Sequence, residues 1–227
     1  MGTKPSNGSA NYEARKPFYF NSSAYLLRIG RERATNLSNL LEALRTCSED
    51  SIFQHTFRTL QEHHFIREGF SNDFAHWAFS ACNEPGLAER LASLDVREFT
   101  SVASLRQRIV DIVSDYLQAN PPAAEHMAKE PFYFCASETV ILPTQVVARN
   151  LREFIDGLIR VSVHSIHHHF IEARLRLKLT SNDFSQWLKE EVGLKETARQ
   201  LEHIDIYTST LEDVRRKMIH VVRGALA

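Results

Sequence analysis

A chain of 227 residues with 43 % hydrophobic and 24 % charged residues has the composition of a folded protein, which excludes disorder as its default state. Its 27 Lys and Arg balance 28 Asp and Glu, so no surplus of either sign is available to condense on nucleic acid or on an anionic membrane. Cys47, Cys82 and Cys135 are far apart and form no Cys-x-x-Cys pair, which argues against a disulfide scaffold or a thiolate zinc site and fits a reducing cytoplasm.

Residues 1–15, rich in Gly, Ser, Asn and charge, read as a flexible tail, because too little apolar surface is present to offset the entropy of ordering. Neither a basic-then-apolar leader nor a run of ~20 apolar residues occurs, so neither export nor a membrane span is expected. Phe18-Tyr19-Phe20 follows Pro17 and reads as extended. Leu37, Leu40, Leu41 and Leu44 mark the buried stripe of a helix. A second helical pattern follows Ser48 and Ser51, and a third starts at Asn72, placed to accept hydrogen bonds from free backbone donors, with Asp73 near the positive helix end and Phe74 and Trp77 on one side. Helices over 86–94 and 102–117 follow, and Asn120-Pro121-Pro122-Ala123-Ala124 reads as linker.

The pattern then starts again. Phe132-Tyr133-Phe134 and Thr139-Val140-Ile141-Leu142-Pro143 favour strand, which predicts a minor hairpin in each copy. Leu151, Phe154, Ile155 and Leu158 repeat the first stripe, and Ile166, Phe170, Ala173 and Leu177 form a seam with Ser165 or its neighbours as cap. Arg174 to Leu179 alternates with period two, yet its continuity with the seam favours helix. Asn182, Asp183, Phe184 and Trp187, then helices over 194–203 and 210–226, complete the series.

Pro17–Phe20 recurs as Pro131–Phe134 at a shift of 114, and the same shift lays Asn36–His55 on Asn150–His169 with seven of twenty positions identical, far above chance. Ser71-Asn72-Asp73-Phe74-x-x-Trp77 recurs as Ser181-Asn182-Asp183-Phe184-x-x-Trp187 at a shift of 110, so the first copy carries four extra residues between Gln54 and Ser71. The expected layout is a tail over 1–15, repeat unit 1 over 16–117, a linker over 118–130 and repeat unit 2 over 131–227. The expected fold is mainly α: two tandem homologous helical units of about five helices each, with short extended Phe-Tyr-Phe segments, in a pseudo-twofold arrangement.

Pro-Phe-Tyr-Phe, Ser-Ile-x-x-His, Asn-Asp-Phe-x-x-Trp and Ala88-Glu89-Arg90-Leu91-Ala92-Ser93-Leu94-Asp95 together resemble the uncharacterised prokaryotic family labelled domain of unknown function 5752. The resemblance covers nearly all of residues 16–226 and implies a two-copy layout, with Phe57–Gln61 and Glu172–Arg176 in typical family stretches. It implies no activity, although some relatives are associated with sugar-transferring enzymes. The chain departs from the family where aromatics often follow Ser-Ile, having Phe53-Gln54 and His167-His168 instead.

Function is read from what the repeated motifs offer. The candidate polar site comprises His55, His169, Asp73, Asp183, Asn72 and Asn182, and the candidate aromatic lining comprises Tyr19, Tyr133, Trp77 and Trp187. The imidazoles titrate near neutrality and stand beside the apolar seam, so each could line a groove; a satisfied structural histidine is the simpler reading. Asn-Asp-Phe-x-x-Trp is explained mechanically by a cap, a dipole-compensating acid and two core aromatics, and alternatively by an acid over a stacking floor. His164 and His168 are one helical turn apart, but only His169 of that cluster recurs in the first copy, so no metal site is expected and no cofactor is implied. No phosphate loop, Gly-x-Ser-x-Gly elbow or Glu-x-x-His occurs. Arg215, Arg216, Lys217 and Arg223 read as a solvated basic face. The expected function is a cytoplasmic, non-catalytic binding or scaffold module for a protein partner, with self-association compatible and nucleic acid and membrane excluded. The alternative is a small-molecule protein or enzyme, for a sugar or sugar phosphate, using the paired His and Asp.

Overall fold

The computed structural model of the chain describes residues 12–58, 70–173, 181–206 and 209–226. Residues 1–11 of the expected tail, the stretch 59–61, most of the extra residues before Ser71 and the alternating run 174–179 lie outside the described residues. Strand β1 spans Glu13–Ala34 and strand β2 spans Phe132–Asn150, and the two pair antiparallel as a two-stranded sheet. Strand makes up 21 % of the structure, so the fold is mixed α and β, and the expected mainly α fold of two tandem helical units in a pseudo-twofold arrangement is overturned. The sequence marks only the start of each strand, where Phe18 and Phe20 are buried and Tyr19 is exposed with the period of two that a pleated strand imposes. Farther along, Leu26, Leu27 and Ile29 are all exposed, so no alternation reveals the strand; its hydrogen bonds go to a partner strand more than a hundred residues away in sequence instead of to a local hairpin.

The chain divides into two compact units, each assembled from distant segments. The second unit comprises residues 23–140 with 171–173 of the described chain. Its helices are α1 (Leu37–Thr46), α2 (Glu49–Phe53) running into a π-helical turn (Gln54–Arg58), α3 (Asp73–Ser80), α4 (Pro85–Ala92) and α5 (Val102–Ala119). Asn36, Ser48, Asn72 and Ser101 accept hydrogen bonds from the third backbone N–H of α1, α2, α3 and α5, each cap contributing about 1 kcal/mol. Leu37, Leu40, Leu44, Leu105, Ile109 and Val113 are completely buried where α1 lies on α5. The residues read as linker are structured: α5 continues to Ala119, and Pro121–Ala124 form a 3₁₀ turn.

Tyr116 of α5 donates to Glu84 at 2.5 Å, and burial first, then this bond and the Glu84 charge, push the phenol up to about 12. The neutral phenol is therefore favoured in the folded protein over the unfolded chain, where it titrates near ~10. That stabilisation is complete below pH ~10 and is lost as pH rises to about 12. Absorbance at 295 nm should show a tyrosine titrating near this upper value, and the late component should vanish in Tyr116→Phe.

The first unit comprises residues 12–22, 141–170 and the described part of 181–227. Its helices are α6 (Leu151–Arg160), α7 (Val163–His167) running into a π-helical turn (His168–Glu172) whose last two residues are counted with the second unit, α8 (Asp183–Trp187) running into another (Leu188–Val192), α9 (Lys195–Glu202) and α10 (Leu211–Gly224). Asn150, Ser162, Asn182 and Thr210 cap α6, α7, α8 and α10. The cap of α7 is thus Ser162, which receives the Ser165 N–H. Gly193, at φ 83°, ends the helical run after α8 in the left-handed region; 110 residues earlier Asn83, at φ 59°, does the same after α3. Asn is the side-chain-bearing residue that tolerates this geometry best.

Arg215 is not part of a solvated face. Its Nη1 donates to the carbonyls of Leu158, Ile159 and Val161 at 3.1, 3.2 and 2.8 Å, setting a positive charge on the negative end of α6. Gly157 of α6 lies under the Phe20 ring, and a Cβ added there would sit 2.3 Å from a ring carbon. Phe20 is completely buried and has nowhere to move. Gly157→Ala should therefore cost about 1–3 kcal/mol by overpacking, exceeding the ~1 kcal/mol that alanine gains in helix propensity. A fall in thermal midpoint would show this, and a rise would refute it.

Candidate functional site

Each repeated histidine sits in a π-helical turn, two residues past the end of a short Ser-capped helix. The matching aspartate is the first residue of the next long-range partner helix, α3 or α8, where the free N–H groups and positive dipole end hold its carboxylate. In the second unit His55 Nδ1 is 2.8 Å from Asp73 Oδ2, and its Nε2 accepts the Cys135 backbone N–H at 2.9 Å. In the first unit His169 Nδ1 is 2.8 Å from Asp183 Oδ2, and its Nε2 accepts the Asn21 N–H at 2.7 Å.

A backbone N–H can only donate, so Nε2 must present its lone pair and the neutral ring must carry its proton on Nδ1, where it donates to the carboxylate. Each imidazole thereby ties a helix to a strand with both nitrogens engaged. Both are deeply buried, with side-chain exposures of 7 % for His55 and 3 % for His169, while the aspartates keep 34 % and 18 %. Ser165 reinforces the first-unit joint by donating to the Asn21 carbonyl at 2.6 Å.

Aromatic rings enclose both pairs. His55 packs on Phe132 and Phe74 with centroids 4.7 and 5.6 Å apart, and His169 packs on Phe18 and Phe184 at 4.9 and 5.3 Å. Trp77 donates its indole N–H to the Glu130 carbonyl at 2.7 Å, and Trp187 donates to the Lys16 carbonyl at 2.8 Å, which anchors the chain just before each Phe-Tyr-Phe segment. Phe18 and Phe20 thus pack among Phe154, Phe184 and Trp187, whereas Phe132 and Phe134 pack around Phe74. Nothing in the sequence reveals this assignment, because the same aromatic segment precedes both copies.

The structure brings His55 to Asp73 and His169 to Asp183, within different units. Asn72 and Asn182 cap α3 and α8, and Asn72 also donates to the Leu91 carbonyl at 2.9 Å. Trp77 and Trp187 are core residues, while Tyr19 and Tyr133 point outward at 61 % and 52 % exposure. Among the described residues no group of three or more His, Cys, Asp or Glu is placed to hold a metal ion, and no helix is long and apolar enough to cross a membrane. Burial raises the Cys47 and Cys82 thiols to about 11 and about 12, away from the thiolate form that reacts.

The chain belongs to the Family of unknown function (DUF5752), whose model matches residues 15–223. The family description specifies no activity. The chain is similar to a solved structure, "The structure of OrfY from Thermoproteus tenax", with 29 % identity over 94 % of this chain and 97 % of that one and a TM-score of 0.83. No curated protein matches the chain.

Proposed function

We propose that the protein is a non-catalytic binding or scaffold module, carrying two copies of one sequence unit, that docks a protein partner on the exposed ribbon of its second unit. The observation that carries this reading is the exposure of Leu26 at 63 %, Leu27 at 61 % and Ile29 at 72 % on β1, with Val140 of β2 at 41 %. Large aliphatic side chains concentrated on a sheet that has two strands among the described residues are costly to leave in water and offer unpaired strand edges. An extended apolar segment of a partner would cover the side chains and complete the edge hydrogen bonds.

The engaged ring nitrogens of His55 and His169 also support this reading over the sugar or sugar-phosphate enzyme, since a general base needs a nitrogen within reach of the substrate proton. A photo-crosslinking residue in place of Leu27, activated in cells, should yield one defined adduct with another protein. Leu26→Ser with Ile29→Ser should abolish the adduct while leaving the thermal midpoint within a few degrees. No adduct, or an adduct indifferent to the serine substitutions, would overturn the reading; an adduct with a second copy of this chain would replace the partner by self-association.

A further inference from the structure

Where β1 meets α1 in the second unit, an open cleft of about 590 Å³ brings three guanidinium groups together: Arg31 and Arg33 from the strand and Arg45 from the last turn of the helix. That volume falls among small-molecule sites, which span ~300–1,000 Å³. All three arginines are exposed, and among the described residues none has a carboxylate oxygen within the 4.0 Å of an ion pair. Glu32 and Glu42 line the same cleft without pairing to them, and Thr46 adds a hydroxyl.

The fold does not require these arginines. Helices α1 and α6 have the same length and the same Asn cap, yet at the shift of 114 Arg31, Arg33 and Arg45 correspond to Gln145, Val147 and Ile159. Equivalent scaffold positions are thus occupied once by polar or apolar residues and once by three arginines, which with Glu32 and Glu42 leave the cleft a net charge of +1 that an anion would match. Planar guanidinium forks match the oxygens of phosphate, and carboxylates beside them accept hydrogen bonds from hydroxyls.

We propose that this cleft binds a phosphomonoester bearing free hydroxyl groups, with Arg31, Arg33 and Arg45 on the phosphate and Glu32 and Glu42 on the hydroxyls. The site shares β1 with the exposed ribbon but uses other residues of it, and its test does not depend on the partner. Calorimetric titration with glycerol 3-phosphate at low ionic strength should show saturable one-to-one binding, tighter than inorganic phosphate. Arg31→Gln with Arg45→Gln should weaken both by about tenfold or more, equivalent to ~1.4 kcal/mol, with an unchanged thermal midpoint. Arg108→Gln, an exposed control on α5, should leave binding intact. No saturable binding of either probe up to about 10 mM would overturn the proposal. So would equal binding by the double variant, or an equal loss in Arg108→Gln, which would mean diffuse charge attraction. Equal affinity for the two probes would refute the role given to the carboxylates.

Discussion

Phe134→Ala and Phe20→Ala are each expected to cost about 3–5 kcal/mol of stability, a large share of the ~5–15 kcal/mol that holds a typical domain together. Phe134 is 1 % exposed and Phe20 is completely buried, and each ring lies edge-on to its neighbour two residues earlier in the strand. Truncation would remove a whole ring and leave a cavity walled by Phe74 and His55 in one unit, or by Phe154 and Phe184 in the other. Close packing from both strand and helices prevents the cavity from collapsing. Tyr133→Ala and Tyr19→Ala, one residue away on the outward side, should change stability by only about 0.5 kcal/mol. Denaturant midpoints for the four variants test the strand's facing directly; similar losses at Phe134 and Tyr133 would show that the alternation is wrong.

His169→Ala is expected to cost about 2–4 kcal/mol, because it strips a backbone N–H and a half-buried carboxylate of a shared partner at once. The Asn21 N–H loses its acceptor, and the Asp183 carboxylate, 18 % exposed, loses its donor. Asp183→Asn should cost less, about 1 kcal/mol, since an amide oxygen can still accept the Nδ1 proton. Nitrogen-15 spectra of the imidazole should show the proton on Nδ1 and a bare Nε2 in the wild-type protein. A proton on Nε2, or an alanine variant as stable as wild type, would contradict the latch. His55→Ala should likewise destabilise, since the Cys135 backbone N–H loses its acceptor.

Much of the local structure was legible from residue types alone. Asn72 and Asn182 cap the helices that begin beside them, because a short side-chain oxygen satisfies free N–H groups wherever the chain turns into a helix, whereas the caps Asn36 and Asn150 stood in the sequence only as a repeated pair. Leu37, Leu40 and Leu44 of α1 and Leu151, Phe154, Ile155 and Leu158 of α6 are buried as their spacing requires, while Leu41 is half-buried. The pairing of His55 with Asp73 and of His169 with Asp183 was present as two matched repeats, but not as contacts, since 18 and 14 residues of intervening chain conceal a distance of 2.8 Å. The role of Arg215 was hidden for a similar reason: a basic run gives no sign of which member turns inward to the three carbonyls of α6.

By itself, the order of amino acids determined most of the helices, where several of them start, that Phe74, Trp77, Phe184 and Trp187 enter the core, and the family to which the chain belongs. Those features depend on interactions within a few residues, whose energies hardly change with the rest of the fold. Only the tertiary structure decided that Phe18 and Phe20 pack on helices from 151–187 and Phe132 and Phe134 on helices from 49–80, and that β1 pairs with β2. Two near-identical aromatic segments fit either set of helices by composition, so the choice rests on strand pairing and chain connectivity, which no local pattern encodes.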